Sequence, residues 1–313
     1  MPRRAVIDIG TNSVKVLVAD VVGGAVTPLW ETSEQTRLGR GFYETHCLQP
    51  GPIAATATAV ARFVAEARTR GAESVRVIAT SAARDATNRD ELLACITAAS
   101  GLTTEVISGE TEAEWAFAGV ASAPELAQQR LLVLDVGGGS TEFILGAGSH
   151  VDFRESFPLG SVRVLERLNP GDAPSPESLT VCRAYLRDFL RQEVAPRLTA
   201  AFTTHGRPER TLGVGGSTAL LALIQHAQSE FRRDLIEGTH FDRPLLSTLV
   251  NRLWSLPLAE RRLLPGLPPE RADVILTGAA IYEAVLDVFV LPELGISTRG
   301  LRFAAVMDPP APR

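Results

Sequence analysis

The chain has 313 residues, more than one hydrophobic core usually supports, so two domains are expected. Hydrophobic residues make up 45% and charged residues 21%, the balance of an ordinary globular protein, and no apolar run is long enough to cross a bilayer. A net charge of −5 argues against a broad nucleic-acid surface, so an anionic substrate would have to be held locally.

The opening residues pass directly into a strand with no signal-peptide core, so a cytoplasmic location is expected. Cys47, Cys95 and Cys182 are odd in number and far apart; they support neither disulfides nor a zinc knuckle and read as reduced core residues. Lys15 is the sole lysine, so nearly all positive charge is arginine, the better bidentate partner for phosphate.

In chain order, Ala5 to Ile9 is an apolar strand interrupted by Asp8. Gly10, Thr11, Asn12 and Ser13 make a turn, and Val14 to Val22 resumes as a strand. Glu31 to Phe42 carries Arg37 and Arg40 among glycines and reads as an anion-facing loop or a solvated run. Pro52 to Arg70 has helical apolar spacing, with proline at its start and Gly71 after its end. Ser74 to Ala79 is a short strand leading into residues 80–85, and Asn88 is placed to cap the helix Arg89 to Ala99. Strand and helix alternate here, which implies parallel pairing.

Thr104 to Ile107 is another strand, and Ser108-Gly109 opens a helix reaching about Val120. Glu110 suits the first turn of any helix, because the macrodipole favours acids there. Glu112 differs: Trp115, Ala116 and Gly119 lie on its face, so its carboxylate should be half-buried. Burial favours the protonated form of a carboxyl group, a property suited to a general base.

The chain is organised around Leu131 to Gly146. Four apolar residues, Leu131 to Leu134, suit a strand buried on both faces in the middle of a sheet. The strand ends on Asp135, and Gly137, Gly138 and Gly139 follow, then Ser140, Thr141 and Glu142. Three glycines alone would fit a plain β-turn. A carboxylate before them and two hydroxyls and a carboxylate after them fit a hairpin tip that cradles phosphate, with Asp135 and Glu142 offering oxygen ligands to a divalent cation. Another strand follows rather than a helix, which excludes a Walker loop and a dinucleotide fingerprint. Asp8 and Asp135 head the same device used twice, 127 positions apart, as in two duplicated domains.

Val151 to Phe157 alternates as a third strand, and Pro158-Leu159-Gly160-Ser161 leads into a helix carrying Arg163. Residues 169–176 form a loop, and Glu177 to Leu198 is a long amphipathic helix. Thr211 to Val214 enters Gly215, Gly216, Ser217 and Thr218, and the helix that follows would offer a third anion site. Arg243 to Trp254 and Glu270 to Val290 read as further helices, Ile296 to Arg302 as a last strand and turn, and the proline-rich end from Pro309 as frayed. The domain junction falls near Ser122 to Gln129.

The stretches AVIDIGTNSVKVLVAD, TRLGRGF, ATSAARDATN, VISGETEAE, LVLDVGGGSTEFILG, FPLGSVRVLE, GVGGST and LPGLPPERADVILTGAAI, in this order, resemble the Ppx/GppA family of exopolyphosphatases and guanosine pentaphosphate phosphohydrolases. The resemblance spans essentially the whole chain. It implies an α/β chain of the ASKHA (actin and sugar-kinase) fold, with two RNase H-like domains around a phosphate-binding cleft. The first would cover residues 1–124, rejoined by the chain end at about 300–313, and the second residues 125–299. Longer members carry additional C-terminal helical domains, so this chain looks like the short form.

The resemblance places the family's catalytic base on Glu112 and its metal-binding acids on Asp135 and Glu142, with Asp8 beside them. Thr111 and Glu114 depart from the family's glutamate and arginine around that base. Lys15 takes a family arginine position, and Arg84 and Asn88 match an Arg-Asp-Ala-x-Asn segment. Near the end, Gly300, Leu301 and Arg302 match, whereas Phe303 and Ala304 stand where a glutamate and glycine are usual. The implied chemistry is hydrolysis of a terminal phosphoanhydride of inorganic polyphosphate, or of guanosine pentaphosphate. Residues 10–13 and 137–141 would grip the phosphoryl oxygens, Lys15, Arg84 and Arg302 the next phosphates, and Mg2+, or Mn2+ in its place, the developing charge. A homodimer is what the family suggests. A kinase of the same superfamily, with a nucleoside pocket beside Gly215 to Thr218, and a non-catalytic polyphosphate sensor are the rival readings.

Overall fold

The computed structural model describes residues 2–308, so the proline-rich end from Pro309 lies outside the described residues. The chain divides into two compact units: one runs to Ser122 and resumes at Arg299, and the other spans Ala123 to Thr298. Among the described residues no helix is long and apolar enough to cross a membrane.

The first unit is built on five strands, β1 (Arg3–Ile9), β2 (Val14–Val22), β3 (Ala25–Glu34), β4 (Ser74–Ala79) and β5 (Thr104–Val106), in the order β3-β2-β1-β4-β5. The first three form an antiparallel meander, while β4 and β5 join in parallel through helical crossovers. Side chains on a strand alternate between faces, and β1 is apolar on both. Ala5, Ile7 and Ile9 pack with Val60, Phe63 and Val64 of the helix Pro50–Thr69. Val6 joins Leu17, Ala19 and Ile78 against Leu301, Phe303 and Val306 of the helix Leu301–Met307. Arg4 Nη1 donates to Met307 O at 2.9 Å and anchors that helix to β1.

The second unit carries β6 (Arg130–Val136), β7 (Thr141–Ala147), β8 (His150–Phe157), β9 (Arg210–Val214), β10 (His240–Asp242) and β11 (Glu293–Ile296), in the order β10-β11-β9-β6-β7-β8. β6 is interior, and Leu131 to Leu134 are all fully buried, as the unbroken apolar run requires. Leu132 and Leu134 share one core with the helix Ile275–Val288, whose buried side chains include Ile275, Ala279, Tyr282 and Leu286.

The two units repeat one device in one register. Asp8 faces Lys15 across the β1–β2 hairpin, and Asp135 faces Glu142 across β6–β7. Each hairpin closes with the same tip bond, Gly10 N to Ser13 O at 3.0 Å and Gly137 N to Ser140 O at 2.9 Å. On the parallel side, Asp8 pairs with Ile78 of β4 and Asp135 with Val214 of β9. This is the RNase H-like strand order, formed twice within one mixed α/β chain.

Several local readings change. Glu31 to Glu34 belong to β3, an edge strand whose half-exposed alternation hides its pairing. Asn88 is the N-cap residue of its helix, as expected, but its side chain makes no cap bond: Oδ1 accepts from Leu48 N at 2.8 Å and Nδ2 donates to Leu48 O at 3.0 Å, tying two loops together. Arg302 lies in a helix rather than a turn, and the helix expected from Glu270 begins at Ile275 after a short 3-10 turn, Pro269–Arg271. The helix expected to end at Leu198 continues through a π segment, Leu190–Val194, to His205. Cys182 is buried and Cys95 exposed, because burial depends on the helix face and not on the residue's preference, and Cys47, in a loop, is intermediate.

Candidate active site

In the first unit the residues from Gly10 to Ser13 form the tip of β1–β2, and Thr11, Asn12 and Ser13 are buried. The loop after β3 is laid over this tip by its backbone: Arg37 N donates to Asn12 O at 3.0 Å and Gly39 N to Thr11 O at 2.7 Å. Gly39 is needed for that approach, because a Cβ there would overlap Thr11 Cγ2. Arg37 and Arg40 thus flank the hairpin tip on a loop that it anchors. Lys15 Nζ lies 3.9 Å from Asp8 Oδ2, so the carboxylate of the first hairpin has the chain's sole lysine beside it.

Glu112 stands in the first turns of the helix Gly109–Ala121, which Ser108 caps by accepting from Thr111 N at 3.1 Å. Its side chain is buried, and Oε2 accepts from Arg84 Nη1 at 3.0 Å. Arg84 sits at the end of the short helix Ser81–Asp85 that follows β4, and also donates to Ile107 O at 3.1 Å. Arg302 is directed elsewhere: Nη1 donates to Val16 O at 3.0 Å, and Nη2 is 3.6 Å from Glu31 Oε2.

In the second unit the glycine tip is locked by the helix Ser161–Leu168. Ser161 N donates to Gly137 O at 2.9 Å, Val162 N to Gly138 O at 2.9 Å, and Arg163 Nε to Gly139 O at 2.8 Å. With the carbonyls of the loop occupied in this way, its backbone is held in one conformation. Gly160 allows the contact, since a Cβ there would overlap the Gly138 carbonyl. Thr141 is fully buried and its hydroxyl donates to Leu159 O, so it braces the tip, whereas Ser140 lies within it.

Asp135 and Glu142 are opposite one another, and Glu142 Oε1 accepts from Ser156 Oγ at 2.7 Å. Gly215, with φ +91°, lies against Asp135: a Cβ there would stand 2.7 Å from Asp135 Oδ1. Two hard carboxylates paired across one hairpin are oxygen donors of the kind Mg2+ or Mn2+ takes. Among the described residues, no group of three His, Cys, Asp or Glu side chains suited to a metal occurs.

A profile of the Ppx/GppA phosphatase family matches residues 17–308. The chain belongs to that family. It is 34% identical over 293 residues to exopolyphosphatase 2 of Mycobacterium tuberculosis, covering 90% of this chain and 89% of that one. Among solved structures it is similar to the Aquifex aeolicus PPX-GPPA enzyme, with a TM-score of 0.77 and 28% identity over 97% of this chain and 98% of the other. It is also similar to an exopolyphosphatase from Cytophaga hutchinsonii, with a TM-score of 0.85 and 26% identity over 96% of each chain.

In this Ppx/GppA member three features of the site escaped sequence reasoning. The Leu38-Gly39 and Leu159-Gly160 pairs play matching parts in the two units, a repeat of two residues too short to stand out. Tyr282 Oη donates to Val214 O at 3.1 Å and accepts from Val136 N at 3.3 Å, pinning the ends of β6 and β9 on either side of Asp135. Burial, and then the charge of Asp135, push the Tyr282 phenol well above its usual range, so it remains a donor. The Arg271 guanidinium lies against Gly216, where a Cβ would come within 3.1 Å of Nη2; Gly216 and Ser217 open the helix Gly216–Gln225. No sequence spacing signals either contact.

Proposed function

We propose that this protein hydrolyses the terminal phosphoanhydride bond of inorganic polyphosphate and releases orthophosphate. The observation that carries this reading is the buried Glu112 carboxylate held by Arg84 at 3.0 Å, in the unit that also presents the first hairpin tip. Glu112 accepts a proton from water as the water oxygen bonds to the terminal phosphorus. The bond from that phosphorus to the bridging oxygen breaks, and the bridging oxygen leaves on the shortened chain. Phosphoryl transfer of this kind is governed by positioning and electrostatics.

Gly10 to Ser13 and Gly137 to Ser140 offer backbone amides and hydroxyls to phosphoryl oxygens, and Thr141 fixes the second tip. Lys15 and Arg84 supply positive charge for the next phosphates, while Arg302 donates to Val16 O of β2. Gly215, Gly216 and Ser217 add donors beside Asp135. Asp135 and Glu142 would hold Mg2+, which supplies charge neutralisation when bound; Asp8 offers the corresponding carboxylate in the first unit.

Guanosine pentaphosphate ends in the same group and is the comparison substrate. Phosphate release is measured with polyphosphate, guanosine pentaphosphate and ATP, each with and without Mg2+. The expected result is Mg2+-dependent release that is fastest with polyphosphate. Faster release from guanosine pentaphosphate would move the assignment to the nucleotide, and transfer from ATP to an alcohol would replace hydrolysis by a kinase reaction.

A further inference from the structure

Ser81 lies two residues past the end of β4: Thr80 N donates to Ile9 O at 3.1 Å, which pins this turn against the end of β1, one residue before Gly10. Ser81 is 3% exposed, and its hydroxyl is buried without a hydrogen-bond partner. Such groups are rare in folded proteins, because the hydroxyl gives up water and gains nothing in return. Among the described residues, Thr11 on the hairpin tip carries a hydroxyl in the same condition. Ile9 and Ala79 are the last paired residues of β1 and β4, and Thr11 and Ser81 each lie two residues beyond them.

The internal repeat points the same way. Ser81 stands three residues after Ile78, the parallel partner of Asp8; Ser217 stands three residues after Val214, the parallel partner of Asp135. Ser217 belongs to the Gly-Gly-Ser-Thr turn beside Asp135, so Ser81 is its counterpart in the first unit, where Ala79 and Thr80 replace the two glycines. Arg84, one helical turn after Ser81, carries the ion pair to Glu112.

We infer that Ser81 is a further phosphoryl-binding residue of the first unit, its hydroxyl donating to an oxygen of the anionic chain beside Thr11. This rests on the polyphosphate reading above. An orphaned hydroxyl kept for a ligand destabilises the free protein, so removing it separates a binding role from a structural one.

The test compares wild type with Ser81→Ala and the near-isosteric Ser81→Cys, whose thiol is a weak donor. Kinetics with polyphosphate and melting with and without polyphosphate are recorded for each. Both variants are expected to lose about 10- to 100-fold in kcat/KM, the range for a hydrogen bond to a charged group. Their ligand-free melting temperatures should equal or exceed that of wild type, and the upward shift on adding polyphosphate should shrink. A lower ligand-free melting temperature with an unchanged polyphosphate shift would overturn the inference and make Ser81 structural. Unchanged kcat/KM in both variants would also overturn it while leaving the polyphosphate reading intact. A wild-type protein that neither cleaves polyphosphate nor is stabilised by it would sink both.

Discussion

Arg84 Nη1 lies 3.0 Å from Glu112 Oε2, joining the helix after β4 to the helix after β5. The pair gives Glu112 a fixed orientation through one oxygen. Replacing Glu112 by Gln keeps the shape and removes the base. Turnover of polyphosphate should fall by roughly 10²–10⁴-fold, with the far-UV spectrum and polyphosphate affinity retained. Near-normal turnover would exclude Glu112 as the base.

Arg84→Ala should cost both stability and activity, because it leaves a buried carboxylate without this donor. About 1–3 kcal/mol of unfolding free energy is expected, discounted for the partial exposure of the arginine. In the Arg84→Ala, Glu112→Gln double variant the stability losses should not add. Additive denaturant midpoints would mean that the two side chains act independently.

Gly39→Ala places a methyl group onto Thr11 Cγ2 and should lower stability by about 1–3 kcal/mol, with a matching loss of activity. Thr11→Ser removes that methyl while keeping the hydroxyl, so it should restore much of the loss. Gly160→Ala meets the Gly138 carbonyl instead. No side-chain change can relieve a backbone clash, and the same rescue strategy should fail there. Thermal melts and phosphate release of the three variants check this contrast.

Lys15 is the sole lysine, part-exposed and 3.9 Å from Asp8. An amine-acylating reagent should therefore inactivate the enzyme in step with a single side-chain modification, and polyphosphate should slow it. Lys15→Arg should stay active and resist the reagent. Equal inactivation of that variant would assign the effect to the terminal amine.

Burial, with Glu283 nearby, pushes the Cys182 thiol up to about 12 from an ordinary 9.0. The neutral thiol is the form the fold accepts, so its contribution to stability is complete below about pH 9 and declines as pH rises towards 12. At pH 8, iodoacetamide should modify exposed Cys95 first and Cys182 only after unfolding. Mass spectrometry of the labelled peptides reads the order; early labelling of Cys182 would contradict its burial.

The architecture was legible because its signals are local. A strand buried on both faces shows as an unbroken apolar run, as at Leu131 to Leu134. A hairpin that carries a carboxylate into a glycine turn shows within ten residues, and its recurrence from Asp8 to Asp135 exposed the duplication. The half-exposed edge strand β3 did not show, since its pairing with β2 leaves little trace in composition.

By itself, then, the sequence determined the family, the repeated sheet and the positions of the carboxylates and glycines, all properties of short segments and their order. Only the tertiary structure decided which groups meet: Arg84 with Glu112, Arg302 with Val16, Gly215 with Asp135, and a helix start with the Gly137 to Gly139 carbonyls. Those partners are 24 to 286 residues apart, so no local periodicity encodes them. Hydrogen bonds and close contacts between distant segments are set by how buried faces pack, and packing is a property of the whole fold.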